Sequence, residues 1–315
     1  MTKIIFMGTP QFAVPVLEGL IENNYEIIAV VTQPDRVVGR KKVLTKTPVK
    51  QVAEKHQLPV YQPEKISGSQ EMEALMQLDA DLIVTAAYGQ FLPQTLLDAP
   101  KHGAINVHAS LLPKYRGGAP IHYAVMNGDK ETGVTIMEMV KQMDAGAMIA
   151  QQAIPITKED TCGTMFEKLS MVGRDLLLSC LDDYIAEKIT PIMQNEAEAT
   201  YSPNISREQE RLSFAQWTAV EMDNHVRGMN PFPIAHVMLQ GKRVKLYEVT
   251  PLEQQTSKEA GTIVAINKDS IDVACAKQTI LRLQSFQLEG KARMDAKDYL
   301  NGALRQLKEG DTFDE

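Results

Sequence analysis

Residues 3–32 read KIIFMGTPQFAVPVLEGLIENNYEIIAVVT. The run from Lys3 to Met7 is apolar after its first residue and is closed by the turn residues Gly8-Thr9-Pro10. Phe12, Val16, Leu17, Leu20 and Ile21 then recur at the spacing of an amphipathic helix, and Glu26 to Thr32 returns to a continuous apolar run. This is strand, turn, helix, strand. Strands apolar on both faces and separated by a helix suit a largely parallel sheet covered on two sides.

The same alternation continues outward. Asp81 to Ala87 (DLIVTAA) and Ala104 to His108 (AINVH) read as further buried strands, with helical segments between them, one of which Thr47-Pro48 opens as N-cap and first helical residue. Gly133 to Met139 and Ala147 to Ile154 add two strand-like runs. A long helical pattern follows from about Thr164 to Lys188, carrying Phe166, Leu169, Leu176, Leu177 and Leu181. The expectation is a Rossmann-like α/β domain over residues 1–189.

Residues 189–208 are polar, contain Pro191 and Pro203 and lack periodicity, so a linker is placed at 190–206. Residues 207–315 then show a helix from about Phe214 to Met229. Short alternating runs follow at Ala235 to Leu239, Val244 to Val249, Gly261 to Ile266, Ser270 to Ala274 and Thr279 to Phe286, with turn signals between them. That pattern predicts a small OB-like β-barrel.

Composition removes several classes of function. With 33 Lys+Arg against 40 Asp+Glu the net charge is −7, so no general cationic coat exists. A hydrophobic content of 44% and a charged content of 23% are those of a globular chain. No apolar run approaches the ~20 residues needed to cross a bilayer, and the N-terminus lacks a signal-peptide pattern. Cys162, Cys180 and Cys275 are far apart and form no CxxC pair, which argues against a disulfide framework or zinc knuckle and points to a reducing cytoplasm. The histidines lack metal-ligand spacing, so no metal is expected.

The first turn offers only Gly8 where a dinucleotide fingerprint needs G-x-G-x-x-G, and no GxxxxGK[ST] element occurs. Neither a nicotinamide nor a flavin cofactor is expected. Chemistry is concentrated elsewhere. Alternation sends Asn106 and His108 to one face of their strand and Val107 to the other, at the strand end where open α/β sheets gather ligands. An isolated strand histidine is more often a satisfied core residue. Here, however, a loop follows, Ser110 to Pro120, with two prolines, two glycines and two basic side chains. Its leucines need cover, either from a ligand's rings or from the neighbouring domain. Farther on, Asp144 stands in a Met-Asp-Ala-Gly turn beside small residues; spacing alone does not bring it to His108.

Phe6-Met7-Gly8-Thr9-Pro10, Asn106-Val107-His108-Ala109-Ser110-Leu111-Leu112-Pro113, Tyr115-Arg116-Gly117, Gly133-Val134-Thr135-Ile136-Met137 and Asp144-Ala145-Gly146 resemble, in this order, the 10-formyltetrahydrofolate-dependent formyltransferases. The resemblance extends along essentially the whole chain. It implies that Asn106, His108 and Asp144 are catalytic, that Ser110, Leu111, Leu112 and Pro113 help form a folate pocket, and that 10-formyltetrahydrofolate is the co-substrate. The Thr32 to Arg36 element with Gly39 and Arg40, the Asn230-Pro231-Phe232-Pro233 element and the chain length resemble members that formylate methionyl-initiator tRNA in translation initiation. A small amine, such as an amino sugar or ribonucleotide, is the alternative acceptor. A non-catalytic tRNA- or folate-binding protein is a third reading.

Formyl transfer needs a donor for an oxygen that gains negative charge, and a carboxamide supplies one without ionising. A carboxylate near an imidazole favours its protonated form and fixes the ring, which is the part the resemblance leaves to Asp144. An acidic protein that binds tRNA must concentrate its positive charge. Between Asp35 and Lys50 stand Arg36, Arg40, Lys41, Lys42, Lys46 and Lys50 against a single acid. A charge run is usually a solvated face; with the resemblance, Arg36, Arg40, Lys41 and Lys42 become the expected tRNA contacts, Arg40 foremost. A monomer is expected.

Overall fold

The computed structural model describes residues 1–39 and 42–314. It divides into two compact units: residues 1–120, 131–155 and 166–202 form the first, and residues 121–130, 156–165 and 203–315 the second.

The strands of the first unit are β1 (Lys3–Gly8), β2 (Glu26–Val31), β3 (Arg36–Val38), β4 (Val43–Thr45), β5 (Val60–Tyr61), β6 (Leu82–Ala86), β7 (Ala104–His108), β8 (Glu131–Glu138) and β9 (Met148–Pro155). Seven of them make one sheet in the order β5-β2-β1-β6-β7-β8-β9, while β3 and β4 pair only with each other. From β5 to β7 every pairing is parallel, and β7–β8 and β8–β9 are antiparallel. The β8–β9 connection, residues 139–147, is too short for a crossover, so that edge has to run antiparallel.

Helices α1 (Val14–Glu22), α2 (Pro48–Lys55), α3 (Gln70–Met76), α4 (Gln94–Leu97) and most of α6 (Cys162–Ile185) accompany these strands, whereas α5 (Pro120–Met126) falls almost wholly in the second unit. Ile4, Ile5, Phe6 and Met7 are at most 1% exposed, as a central parallel strand covered on both faces requires. Ile5, Met7, Ala29, Val31 and Ile83 pack with Leu75 of α3 and Leu96 of α4. Thr47 caps α2 by accepting from Lys50 N, and Pro48 opens that helix.

Composition predicts a linker over residues 190–206. Residues 189–202 are instead built into the first unit. Ile192 and Met148 exchange main-chain hydrogen bonds at 2.8 Å in both directions; Arg116 N donates to Thr200 O and Ser202 N to Arg116 O, each at 2.8 Å. A segment held by main-chain bonds to a strand end and a loop needs no apolar period, which is why its sequence looks like a tether.

In the second unit, α7 (Ala219–Gly228) begins later than the expected Phe214, because Thr218 and Glu221 form a capping box ahead of it. Phe214 is fully buried, its ring centroid 5.1 Å from that of Phe313. Strands β10 (His236–Leu239), β11 (Lys242–Leu252), β12 (Ile263–Ile266), β13 (Ile271–Ala274), β14 (Ile280–Leu288) and β15 (Met294–Asp295) form an antiparallel sheet ordered β10-β11-β14-β13-β12, with β15 on β14. Register shifts between Leu246 and Val249 bend β11, and the sheet curls into an OB-like half-barrel. Helix α8 (Ala296–Leu300) follows, and Met222, Val226, Leu246, Leu283 and Phe286 lie in the core of this unit. Among the described residues no helix is long and apolar enough to cross a membrane.

Candidate active site

The site is built at the carboxyl end of β7. Val107 lies against α6 at Gly173, so the pleat turns Asn106 and His108 to the opposite face. Asn106 is half-buried. The Thr85 hydroxyl on β6 donates to Asn106 Oδ1 at 2.7 Å, and no acceptor among the described residues takes the Nδ2 protons. The amide therefore offers its donor end outward.

His108 is 6% exposed. Its Nε2 lies 3.0 Å from Tyr115 O. A carbonyl only accepts, so Nε2 carries the proton in the neutral ring and Nδ1 is the basic nitrogen. Nδ1 lies 3.8 Å from Asp144 Oδ2, ion-pair range but too long for a direct hydrogen bond. Asp144 Oδ2 accepts in turn from Gly117 N at 2.8 Å. Asn106 and His108 thus share one face of β7, and Asp144 reaches His108 from a separate stretch of chain, the turn after β8.

The backbone at and around Asp144 leaves no room for larger residues at two glycines. Asp144 has φ +50°, the left-handed region in which Asp is among the more tolerated residues. At Gly146 any side chain would collide with Glu138 O, and at Gly117, φ +122°, a Cβ would meet Ser202 O at 2.8 Å.

The loop after β7 is covered by its own unit. Ser110 and Leu112 are buried; Ser110 Oγ donates to Lys114 O at 2.7 Å, and Leu112 N donates to Thr135 Oγ1 at 3.2 Å. Thr135 Oγ1 donates to Ser110 O, and Gln151 Nε2 to Leu112 O. Of the four expected folate contacts, only Leu111 and Pro113 remain half-buried, and Leu111 packs at Gly133.

Arg116 is the largest side chain that is fully buried. It makes a bidentate pair with Glu196, at 2.7 and 3.0 Å, and donates through Nε and Nη2 to Gln194 Oε1 at 3.0 and 2.8 Å. The guanidinium holds the Glu196 carboxyl below the usual range, mainly by hydrogen bonding. Thr85, Gln194 and Glu196 were not among the residues read from sequence. Thr85 left a trace, a lone hydroxyl in an apolar strand; Gln194 and Glu196, in a polar stretch, left none.

The basic segment forms the β3–β4 hairpin, on which Val37, Val38, Val43 and Leu44 are 55–66% exposed. Arg36 at its base makes a bidentate ion pair with Glu64. Lys42 has φ +49° near the turn; Arg40 and Lys41 lie outside the described residues. Burial pushes the Cys162 thiol up to about 12 and that of Cys180 to about 11, which disfavours a thiolate nucleophile. Among the described residues no cluster of three or more His, Cys, Asp or Glu could hold a metal.

Comparison with known proteins agrees with this architecture. A family model described as formyl transferase matches residues 2–181, and one described as formyl transferase, C-terminal domain, matches residues 204–304. The chain is 59% identical to methionyl-tRNA formyltransferase of Enterococcus faecalis over all of both chains. It is 58% identical to the protein of the same name from Streptococcus uberis, over 99% of each chain, and 56% identical to that from Lactiplantibacillus plantarum, over 99% of this chain and 98% of the relative. Among solved structures, an N-formyltransferase from Helicobacter canadensis superposes with TM-score 0.70 at 18% identity, covering 90% of this chain and 99% of that one. HypX from Aquifex aeolicus does so with TM-score 0.67 at 17% identity, over 98% of this chain but 50% of its own length, so the chain spans half of HypX.

Proposed function

The chain belongs to the formyl transferase family, and from that premise we propose that it transfers a formyl group from 10-formyltetrahydrofolate to the free amino group of methionyl-initiator tRNA. It is an enzyme of one-carbon transfer. What supports the reading is Asp144 3.8 Å from His108, with Asn106 on the same face of β7 as that imidazole, together with relatives of one name that match over the full length.

The residues present suit the co-substrate. A half-buried carboxamide with both Nδ2 protons free suits a formyl oxygen, and half-buried Leu111 and Pro113 in the following loop suit an apolar ring system. When bound, 10-formyltetrahydrofolate supplies the formyl carbon and the nitrogen that leaves. Asn106 Nδ2 donates where negative charge develops on oxygen, a role worth about 3–4 kcal/mol for such donors. His108 Nδ1 accepts the proton that the attacking amine loses, and Asp144 across 3.8 Å stabilises the cation so formed. His108 then returns that proton to the departing nitrogen. The Nε2 bond to Tyr115 O keeps the ring oriented throughout.

For the tRNA, the β3–β4 hairpin with Lys42, and with Arg40 and Lys41 adjacent to Lys42 in sequence, supplies phosphate contacts. Lys242, Arg243 and Lys245 on β11 add positive charge in the second unit. Arg36 anchors the hairpin through Glu64.

The test is to incubate the protein with 10-formyltetrahydrofolate and, separately, methionylated initiator tRNA, uncharged tRNA or glycinamide ribonucleotide. Formylation of the methionyl amine alone is expected. Formylation of the ribonucleotide without that of the tRNA would overturn the assignment.

A further inference from the structure

The turn that carries Asp144 has little to hold it from within. Its own main-chain hydrogen bond, Ala145 N to Gln142 O, is 3.4 Å long, and Lys141, Gln142 and Met143 are exposed. Asp144 nevertheless adopts a left-handed conformation at a place where small displacements change the distance to His108. Something outside the turn has to set it.

We propose that Gln194 is a positioning residue for formyl transfer: its amide ties the Asp144 turn to the loop that orients His108. The inference rests on the reading of His108 and Asp144 as the proton-handling pair. Gln194 Nε2 donates to Asp144 O and to Gly146 O, both at 2.8 Å. Its Oε1 accepts from Arg116 Nε and Nη2. Both donors and both acceptor sites of this side chain, which is only 7% exposed, are thereby used.

The other end of the tie is equally determined. Arg116 is locked by Glu196, and its main chain pairs with Thr200 and Ser202. The residues on either side of it touch the pair directly: Tyr115 O meets His108 Nε2, and Gly117 N meets Asp144 Oδ2. A single carboxamide therefore fixes the catalytic turn relative to the two main-chain groups that hold the imidazole and the carboxylate. Loss of its donors frees the turn while leaving the Arg116 side intact.

Gln194→Glu makes that separation, since it keeps two acceptors for Arg116, loses both donors and sets a carboxylate oxygen against two carbonyls. Misplacement of a catalytic group by about 1 Å can cost about a hundredfold in rate, so kcat is expected to fall by about tenfold or more, with KM for both substrates within about twofold of the parent. Gln194→Asn, with the same chemistry and a shorter reach, carries the test if the glutamate variant does not fold. Adding Gln194→Glu to Asp144→Asn is expected to cost little beyond Asp144→Asn alone, because both act at one point.

A merely structural role would give losses that multiply in the double variant, and that result overturns the proposal. So does a normal kcat in Gln194→Glu beside a crippled Asp144→Asn. Full activity of Asp144→Asn itself would instead remove the reading on which the proposal stands.

Discussion

Thr85 Oγ1 lies 2.7 Å from Asn106 Oδ1, and the two residues are direct partners in the parallel β6–β7 ladder. That contact decides which end of the carboxamide meets the crevice. In Thr85→Val, of nearly the same shape, Oδ1 would face a methyl group, and leaving a carbonyl unpaired costs about 1–3 kcal/mol. The amide then prefers to turn over and present its oxygen where a donor is needed. A fall in kcat of about tenfold with little change in KM is expected from steady-state kinetics; an unchanged kcat would show that the amide is oriented by something else.

Asn106→Ala removes the donor altogether. Loss of one preorganised donor to a developing oxyanion costs about two to three decades in kcat, while ground-state binding changes little. Measured kcat near that of the parent would exclude Asn106 from the chemistry. Asn106→Asp is expected to be at least as poor, since an ionised carboxylate has no proton to offer.

What was legible beforehand follows from the kind of signal each feature leaves. Strands β1, β2, β6 and β7 are buried on both faces and so announce themselves as apolar runs, and Thr47-Pro48 announced α2. Asn106 and His108 could be placed together because alternation along one strand is local. Asp144 could not, since its approach to His108 depends on the antiparallel β7–β8–β9 edge and on the strap over residues 192–202. That strap is bonded through main chain, Gln194 and Glu196, whose polar composition reads the same in a tether. The start of α7 was misplaced for a related reason: Phe214 continues the apolar pattern but belongs to the core beside Phe313, and the capping box four residues on is the stronger signal.

The basic hairpin makes a quantitative prediction about ionic strength. Each phosphate contact to duplex nucleic acid contributes about −0.9 to the slope of log affinity against log salt. Replacing Arg40, Lys41 and Lys42 together by Ala is expected to raise KM for tRNA and to flatten that slope by up to about 3 units. Arg36→Ala is expected to behave differently, because its guanidinium is engaged with Glu64: it loosens the hairpin base and leaves the slope nearly unchanged. An unaltered slope in the triple variant would count against the hairpin as a tRNA contact.

The second unit carries a pH dependence of its own. His236, the first residue of β10, is 6% exposed, and its Nδ1 is buried with no hydrogen-bond partner among the described residues. Burial, with the positive charges of Arg243, Arg211 and Lys245 around it, pushes its pKa from 6.5 down to about 4. Between those values the unfolded chain binds a proton that the folded unit refuses, so stability rises with pH across this window and is lost as pH falls from about 6.5 toward about 4. Allowing for solvent screening, the loss from this group between neutral pH and pH 5 is about 1–2 kcal/mol. His236→Leu removes the titrating group and fills the site with an apolar side chain, so its denaturation midpoint is expected to fall less on acidification than that of the parent. Trp217, the single tryptophan, packs against the core of this unit and reports its unfolding by fluorescence. Its ring centroid lies 4.3 Å from that of His225, so the midpoint of the transition, rather than its amplitude, is the quantity to compare at pH 7.5, 6 and 5. Equal displacement of the midpoint in parent and variant would show that His236 is not the group that refuses the proton.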